Sequence, residues 1–271
     1  MTEKYINIKV LLKTSSSGLL VRMPGFAVKL LEKIIRQKEI NRILEKYSED
    51  SGVGFLPKII EEMNIKVEVE GLENLPENGK CFIVSNHPYG FADGLILTSI
   101  IAQKYGTLKA IGNDVFMLVP QLRPLIAAVN VFGRNYRSYL MELERVYHSS
   151  VPITHFPAGQ VSRINKWKVQ DCYWKKSFIA KSIECGRDVV PFYFYGRNSL
   201  LFYMIFKLRT SLGIGTNIEL MLLPFEFFNK RNRTVKVIIG KPIPYHTFDK
   251  CHTHLEWAQW VKEQVYSLSK N

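Results

Sequence analysis

The chain has 271 residues, 46% of them hydrophobic and 23% charged, which is ordinary for a globular domain and excludes collagen-like, low-complexity and disordered proteins. Its 37 Lys and Arg residues outnumber 24 Asp and Glu residues, so a net charge of +13 favours anionic lipid, nucleic acid or phosphorylated cofactors as partners. The chain has no paired metal-binding Cys and His residues and no aromatic RNA-binding motif, so nucleic acid is the least favoured of the three.

Targeting and cysteine signals point to the cytoplasm. The four cysteines are widely spaced and form no Cys-x-x-Cys pair, which disfavours a disulfide framework and a zinc site. The N-terminal residues 1–11 mix charged and apolar residues, unlike a secretory signal. Gln121, Arg123 and two prolines interrupt the longest apolar stretch, residues 115–132, so we predict no membrane-spanning helix. Any contact with a membrane would therefore be peripheral.

The first predicted elements are helical. Apolar residues recur at roughly helical spacing over residues 25–46, with Lys and Arg among them, and predict one basic amphipathic helix or two short ones. Such a helix either lies on anionic lipid or packs on the domain core, and the pattern alone favours the core. A further helix is predicted over residues 55–63, so we assign residues 1–64 to an N-terminal helical extension.

Strands and helices alternate in the rest of the chain. Residues 65–70 alternate between apolar and polar and predict a half-buried strand, and residues 81–84 predict a short buried strand. Later strands are predicted at residues 110–111, 129–132, 151–156, 188–194 and 235–239, and helices at residues 95–103, 177–185 and 255–267. Residues 65–271 are thus predicted to form an α/β domain with a mixed, largely buried β-sheet flanked by helices.

The segment that follows the buried strand places a histidine near an aspartate. Pro88 disfavours helical backbone at His87 and Gly90 permits a sharp bend, so we expect His87 to be exposed at the strand end with Asp93 folded back toward it. Asp93 would accept the Nδ1 hydrogen and leave Nε2 free to remove a proton from an alcohol or amine. Most pairs at this spacing are surface hydrogen bonds or helix caps, so the neighbouring motifs decide between the interpretations.

Those motifs occur in a recognisable order. Asn86-His87 is followed by Val-Phe-Gly-Arg at residues 131–134, by Phe-Pro-Ala-Gly-Gln-Val-Ser-Arg at residues 156–163 and by an apolar, proline-containing strand at residues 189–198. Together they resemble the lysophospholipid, or glycerolipid, acyltransferase family (1-acylglycerol-3-phosphate acyltransferase-like), in which Asn-His-x4-Asp follows a buried strand. Here five residues separate His87 from Asp93. The form His-Pro-x-Gly-x-x-Asp-Gly is similar to the hemolysin-like branch, which is related to ornithine- and glycine-lipid O-acyltransferases.

The third motif departs from the family pattern. Ala158 stands where Phe-Pro-Glu-Gly-Thr-Arg-Ser has Glu, Val161 stands where it has Arg, and Arg163 comes later. Gln160 stands where the hemolysin-like branch tends to have Glu. The residues that coincide with the family are Phe156, Pro157, Gly159 and Ser162.

The resemblance implies direct transfer of a fatty acyl group from acyl-CoA or acyl carrier protein to the hydroxyl of a lyso-phospholipid or lyso-aminolipid. His87 would be the general base and Asp93 would orient it, with no metal and no permanently bound cofactor. Four lysines, Lys166, Lys168, Lys175 and Lys176, would meet the anionic donor, and the protein would lie on the inner face of the cell membrane. The residues expected to contact substrate are Asn86, Gly90, Arg134, Phe156, Pro157, Gly159, Gln160, Ser162 and Arg163.

Other interpretations remain open. The departures at Ala158 and Gln160 also fit a catalytically inactive lipid- or carrier-protein-binding module with the same fold, and Arg134 also fits a surface salt bridge. The apolar run at residues 200–206 suits either shallow insertion into a bilayer or a buried helix. The cluster at residues 251–254 lacks a second ligand group at a recognisable spacing, so we interpret it as a solvated loop rather than a metal site.

Overall fold

A computed structural model of the protein describes residues 5–13, 18–129, 136–165 and 168–270. The strands are β1 (Lys66–Glu70), β2 (Cys81–Ser85), β3 (Lys109–Asn113), β4 (Ile126–Val129), β5 (Ile153–His155), β6 (Arg163–Asn165), β7 (Lys168–Gln170), β8 (Asp188–Phe194) and β9 (Thr234–Ile239). The helices are α1 (Ile8–Lys13), α2 (Gly18–Val21), α3 (Gly25–Ile34), α4 (Gln37–Lys46), α5 (Phe55–Glu62), α6 (Phe91–Tyr105), α7 (Tyr136–His148), α8 (Ser177–Cys185), α9 (Leu200–Ser211), α10 (Leu223–Phe228) and α11 (His254–Ser267).

The main sheet contains seven strands in the order β1-β9-β8-β2-β5-β3-β4. Neighbouring strands are parallel except for β8 and β9, which are antiparallel. The strands β6 and β7 form a separate antiparallel pair. This arrangement, with helices packed around a mostly parallel sheet, confirms the predicted mixed α/β architecture.

The central strand β2 is buried on both faces. Phe82 and Val84 pack in a hydrophobic cluster with residues of α7, α8 and α11, whereas Ile83 packs in a second cluster with residues of α4, α5, α6 and α10. Successive side chains of a strand point to opposite faces, so a continuous apolar run suits a strand that helices cover on both sides. The end of β2, which carries the candidate site, is therefore packed against helices on both faces of the sheet.

The predicted basic helix over residues 25–46 is two helices. Arg36 lies between α3 and α4 with φ of +55°, a left-handed conformation that interrupts the helix. Ile43 and Leu44 of α4 pack in the same cluster as the sheet, as do residues of α5. The core packing that the pattern favoured is thus present in α4. The division of the chain into an extension of residues 1–64 and a domain of residues 65–271 stays a prediction.

The helix α9 presents two different faces. Phe202 and Tyr203 are buried, whereas a stripe at helical spacing is exposed and comprises Leu200, Leu201, Met204 and Leu208, followed by Leu212 just beyond the helix end. The buried residues agree with the interpretation of this run as a buried helix, whereas its insertion into a bilayer stays a prediction. Across the described ranges, the longest apolar helices are too short to cross a bilayer.

All four cysteines are free. Cys81 and Cys185 are buried, whereas Cys172 and Cys251 are exposed. Cys251 and His252 are exposed in the segment before α11, and Thr253 caps the helix by accepting a hydrogen bond from Glu256 N at 3.3 Å.

Candidate active site

The candidate site begins where β2 leaves the sheet. Asn86, the first residue after β2, donates from Nδ2 to Phe194 O at 2.9 Å and accepts from Phe194 N at 2.7 Å. These two bonds tie the end of β2 to the end of β8 and fix the direction in which the chain continues. Both Nδ2 and Oδ1 of Asn86 take part in this bridge. The predicted contact of Asn86 with substrate stays a prediction.

His87 and Asp93 lie in direct contact. The distance from His87 Nδ1 to Asp93 Oδ2 is 3.0 Å, and the same Oδ2 accepts hydrogen bonds from Tyr89 N at 2.7 Å and Gly90 N at 2.9 Å. The His87 side chain is 17% exposed, less than a fully exposed residue at a strand end would be. With Nδ1 turned to Asp93, Nε2 is the nitrogen that remains for chemistry.

The carboxylate reaches His87 from a helix rather than from a loop. The predicted helix began at residue 95, but α6 begins at Phe91, so Asp93 lies in its first turn. Gly90 adopts φ of +85° just before the helix, and its N–H donates a hydrogen bond to Asp93 Oδ2, which caps the start of the helix. The rigid first turn replaces the folded-back loop that the sequence suggested.

Burial dominates the electrostatics of Asp93. The side chain is fully buried and burial raises the pKa of Asp93, whereas the hydrogen bonds from His87, Tyr89 and Gly90 lower it. Its second oxygen, Oδ1, has no hydrogen-bond partner among the described residues. A buried carboxylate in contact with an imidazole is an arrangement that can stabilise a positive charge on the ring.

Phe156 fixes the plane of the imidazole. Its ring stacks on His87 with centroids 3.9 Å apart and planes 21° apart. Phe156 follows β5, which pairs with β2 so that His155 lies beside Val84. Two neighbouring parallel strands therefore deliver the histidine and its stacking partner to the same edge of the sheet.

A second buried carboxylate, Asp171, holds the backbone of His87. Its Oδ1 accepts from His87 N at 3.2 Å and from Ser162 Oγ at 2.5 Å, and its Oδ2 accepts from Trp174 Nε1 at 2.9 Å. Burial raises the pKa of Asp171, and the hydrogen bonds from Ser162 and Trp174 oppose that rise. Sequence reasoning missed this residue, whose one signal was an acidic side chain within the basic segment 166–176.

His87 lines a cavity of about 290 Å³ beside α6 and the ends of β3, β4 and β5. Of the residues predicted to contact substrate, Gly90, Phe156 and Gly159 line it. The remainder of its wall is largely apolar and includes Leu56, Leu95, Phe116, Leu122, Leu125 and Ile126. An apolar cavity with a histidine and carboxylate pair in its wall suits a fatty chain attached to a reactive group.

The other predicted residues lie elsewhere. Pro157, Gln160, Ser162 and Arg163 do not line the cavity, and Arg134 and Lys166 lie outside the described residues. Ser162 N donates to His87 O at 2.8 Å, so Ser162 holds the backbone of the histidine. Arg163 is buried, and its guanidinium lies 3.1 Å from Glu219, which also pairs with Arg209 at 2.8 Å. The expected contact of Arg163 with an anionic substrate group has no support in this geometry.

One group of possible metal ligands lies within the described residues. The ligand atoms of His148, Glu184 and Cys185, on α7 and α8, lie within 4.8 Å of one another. None of the three lines the cavity at His87.

Comparison with known proteins identifies relatives along nearly the whole chain. The acyltransferase family matches residues 9–271. A lyso-glycine lipid O-acyltransferase from Phocaeicola vulgatus is 42% identical over 264 residues, which are 97% of this chain and 95% of the relative. A lyso-glycine lipid O-acyltransferase from Bacteroides thetaiotaomicron is 40% identical over 264 residues, which are 97% of each chain.

A solved structure is also similar. The 1-acyl-sn-glycerophosphate acyltransferase PlsC from Thermotoga maritima aligns with a TM-score of 0.49 and 17% sequence identity. The alignment covers 91% of this chain and 90% of that structure.

Proposed function

From the premise that this chain belongs to the acyltransferase family and is an O-acyltransferase, we propose that its acceptor is a lyso-glycine lipid and that His87 is the general base. The observation that carries the catalytic assignment is the 3.0 Å contact from His87 Nδ1 to Asp93 Oδ2 at the wall of an apolar cavity. The two relatives, each above 39% identity over nearly the whole chain, support the acceptor.

The proposed reaction is a direct transfer. His87 Nε2 removes the proton from the acceptor hydroxyl as that oxygen attacks the thioester carbonyl of the donor. A C–O bond forms, the C–S bond breaks, and the proton on the imidazolium passes to the departing thiolate. General-base catalysis of this kind contributes about 10²–10⁴ to the rate. Asp93 stabilises the imidazolium through its buried carboxylate.

The apolar wall of the cavity provides a place for the acyl chain. Each methylene group buried from water stabilises binding by about 0.8 kcal/mol, so a fatty chain in this cavity contributes strongly to affinity. The donor is an acyl thioester of coenzyme A or of acyl carrier protein, and both would present the same reactive carbonyl to His87.

The assay for this proposal combines each donor with a panel of acceptors. Purified protein is incubated with acyl-CoA or acyl carrier protein and with lyso-glycine lipid, lyso-ornithine lipid or lysophosphatidic acid, and O-acylated product is measured by mass spectrometry. We expect the fastest transfer to lyso-glycine lipid. Faster transfer to another acceptor would contradict the proposed acceptor, and lipid binding without turnover would favour the inactive binding module.

We also propose that the enzyme contacts the inner face of the cell membrane through α3 and α9. Phe26 and Leu30 of α3 are exposed, as is the stripe on α9, and the exposed Lys29 and Lys33 of α3 lie among them. Ile34 at the end of α3 packs against the cluster that contains Phe202, so the two helices are neighbours. Apolar side chains flanked by lysines suit shallow insertion into an anionic bilayer.

Vesicle flotation tests the membrane contact. With anionic phosphatidylglycerol vesicles, we expect the double variant Met204→Glu, Leu208→Glu to bind about tenfold more weakly than the wild type, because two exposed apolar side chains become charged. Leu255→Glu, at an exposed leucine of α11, is the matched control and should bind as the wild type does. Equal binding of all three proteins would disprove this surface.

A further inference from the structure

Lys175 gives the cavity at His87 a positive charge. Among the described residues that line it, Lys175 is the one lysine or arginine, and there is no aspartate or glutamate. The described residues also provide no salt bridge to Lys175 Nζ. Lys175, like its neighbour Lys176, is an exposed residue, so its ammonium group meets solvent as well as the cavity and can attract an anionic group of the substrate there.

The backbone around Lys175 is firmly held. Its N–H donates to Pro157 O at 3.0 Å. The preceding Trp174 is fully buried, with its carbonyl accepting from Gln259 Nε2 at 2.9 Å and its indole N–H bound to Asp171. The lysine therefore extends from a segment that is fixed to α11 and to the carboxylate beneath His87.

Gly159 leaves room for the lysine side chain. A Cβ on Gly159 would lie 2.9 Å from Lys175 Nζ and 3.1 Å from Lys175 Cε, and Gly159 adopts φ of +66°. The absence of a side chain thus lets the ammonium group lie directly against the Phe-Pro-Ala-Gly segment. The positive φ is the stronger reason for glycine at this position, because the flexible end of the lysine side chain could move away from a Cβ.

A polar residue without a partner lies in the same wall. His155 Nδ1 is shielded from solvent and has no hydrogen-bond partner among the described residues, and His155 lines the cavity together with Lys175 and Ser177. Ser177 is the first residue of α8, whose first backbone N–H groups have no intrahelical acceptor. An unsatisfied buried polar atom costs free energy that a bound polar ligand recovers.

We propose that Lys175, with His155 beside it, forms the subsite for the carboxylate head group of the acceptor. This inference rests on the proposed function. Glycine has no side-chain hydroxyl, so the acylated hydroxyl of a lyso-glycine lipid lies on its fatty chain, and linkage of glycine through nitrogen leaves the carboxylate free. Because His87 and Lys175 line the same cavity, one acceptor molecule can present its hydroxyl to His87 and its carboxylate to Lys175.

The phosphates of the donor fit this subsite less well. In coenzyme A and acyl carrier protein, the pantetheine arm separates the thioester from the nearest phosphate. A donor whose thioester lies at His87 therefore places its phosphates a full pantetheine arm away from His87, whereas Lys175 lines the same cavity as His87. The amide of the acceptor, next to the carboxylate, is the group that His155 Nδ1 would meet.

Binding of an unreactive analogue tests the subsite without turnover. N-Dodecanoylglycine lacks the hydroxyl, and its methyl ester also lacks the charge. By isothermal titration calorimetry we expect Lys175→Met to weaken binding of the acid about 10- to 100-fold, as loss of a charge-assisted hydrogen bond does, and to change binding of the ester by less than about twofold.

The control is Lys176→Met, at the neighbouring exposed lysine, which does not line the cavity and should bind as the wild type does. Unchanged binding of the acid by Lys175→Met would overturn the subsite, as would weakened binding of coenzyme A with unchanged binding of the acid. If binding of the acid depends on Lys175 but the wild type transfers nothing to lyso-glycine lipid, the proposed function fails and the anion subsite stands.

Discussion

Two histidines line one cavity, yet their surroundings differ. His87 follows β2 and has Asp93 3.0 Å from Nδ1, whereas His155 ends the neighbouring β5 and has no partner for Nδ1 among the described residues. Burial, with a contribution from the charge of Lys175, lowers the pKa of His155 to about 4. The proposed difference in role follows from these surroundings, because a neighbouring carboxylate favours a protonated imidazole whereas burial without one keeps the imidazole neutral.

The sharpest test of this contrast is to remove each imidazole in turn. Glutamine keeps much of the size of histidine but cannot take up a proton, so His87→Gln should lower kcat by about 10²–10⁴. His155→Gln should change kcat by less than about tenfold. Initial rates with saturating donor measure both, and circular dichroism checks the fold. A larger loss in His155→Gln than in His87→Gln would reverse the two roles.

Removing the charge of Asp93 should make His87 resemble His155. In Asp93→Asn the amide oxygen still accepts backbone hydrogen bonds, but the negative charge that stabilises the imidazolium is lost. We expect kcat to fall about 100-fold with little change in KM for either substrate. Steady-state kinetics decide this, and a rate near that of the wild type would show that orientation alone, without charge, is sufficient.

The backbone of His87 is also held in place by a side chain, because His87 N donates a hydrogen bond to Asp171. In Asp171→Ala, His87 N, Ser162 Oγ and Trp174 Nε1 lose their acceptor. Buried donors without partners cost about 1–3 kcal/mol each, partly offset by removal of the buried charge, so we expect the free energy of unfolding to fall by about 2–3 kcal/mol. Urea denaturation measures this. Asp188→Ala is the milder control, because it removes the acceptor of one backbone donor, Tyr245 N.

The smallest effect is the titration of His155 itself. Its folded-state pKa of about 4 lies below the ordinary value of 6.5, so the unfolded state binds more protons between these values. The stability contributed by neutral His155 is therefore complete above pH 6.5 and is lost as the pH falls toward 4. The NMR chemical shift of the His155 imidazole should show a titration inflection near pH 4, and Lys175→Met should move that inflection to higher pH. An inflection near 6.5 in the wild type would contradict the contrast.

Local patterns predicted the elements that frame the site. The predicted strand at residues 188–194 and the predicted helix at residues 177–185 coincide with β8 and α8, because an apolar run and a helical period each specify one conformation. The start of α6 was placed late. Phe-Ala-Asp-Gly carries no helical period, and the helix begins there because Asp93 caps the N–H of Gly90.

The contact between His87 and Asp93 was predictable because the two residues are six positions apart and belong to one motif. Asp171 was not, because it meets His87 across 84 residues through packing of separate loops. Arg163 shows the converse, since its charge suggested a ligand for an anionic group and packing brings Glu219 to it from 56 residues away. Sequence alone identifies which charges are present, and the tertiary contacts decide which are neutralised.

The distribution of thiols opens the neighbourhood of Lys175 to optical measurement. Cys172 is exposed, its Sγ lies 3.4 Å from Ala158 O, and it precedes Lys175 by three residues. Cys251 is the other exposed cysteine. In Cys251→Ser protein, a maleimide fluorophore would attach selectively at Cys172, so that arrival of an acyl chain or a head group near Lys175 could be followed in real time as a change in emission.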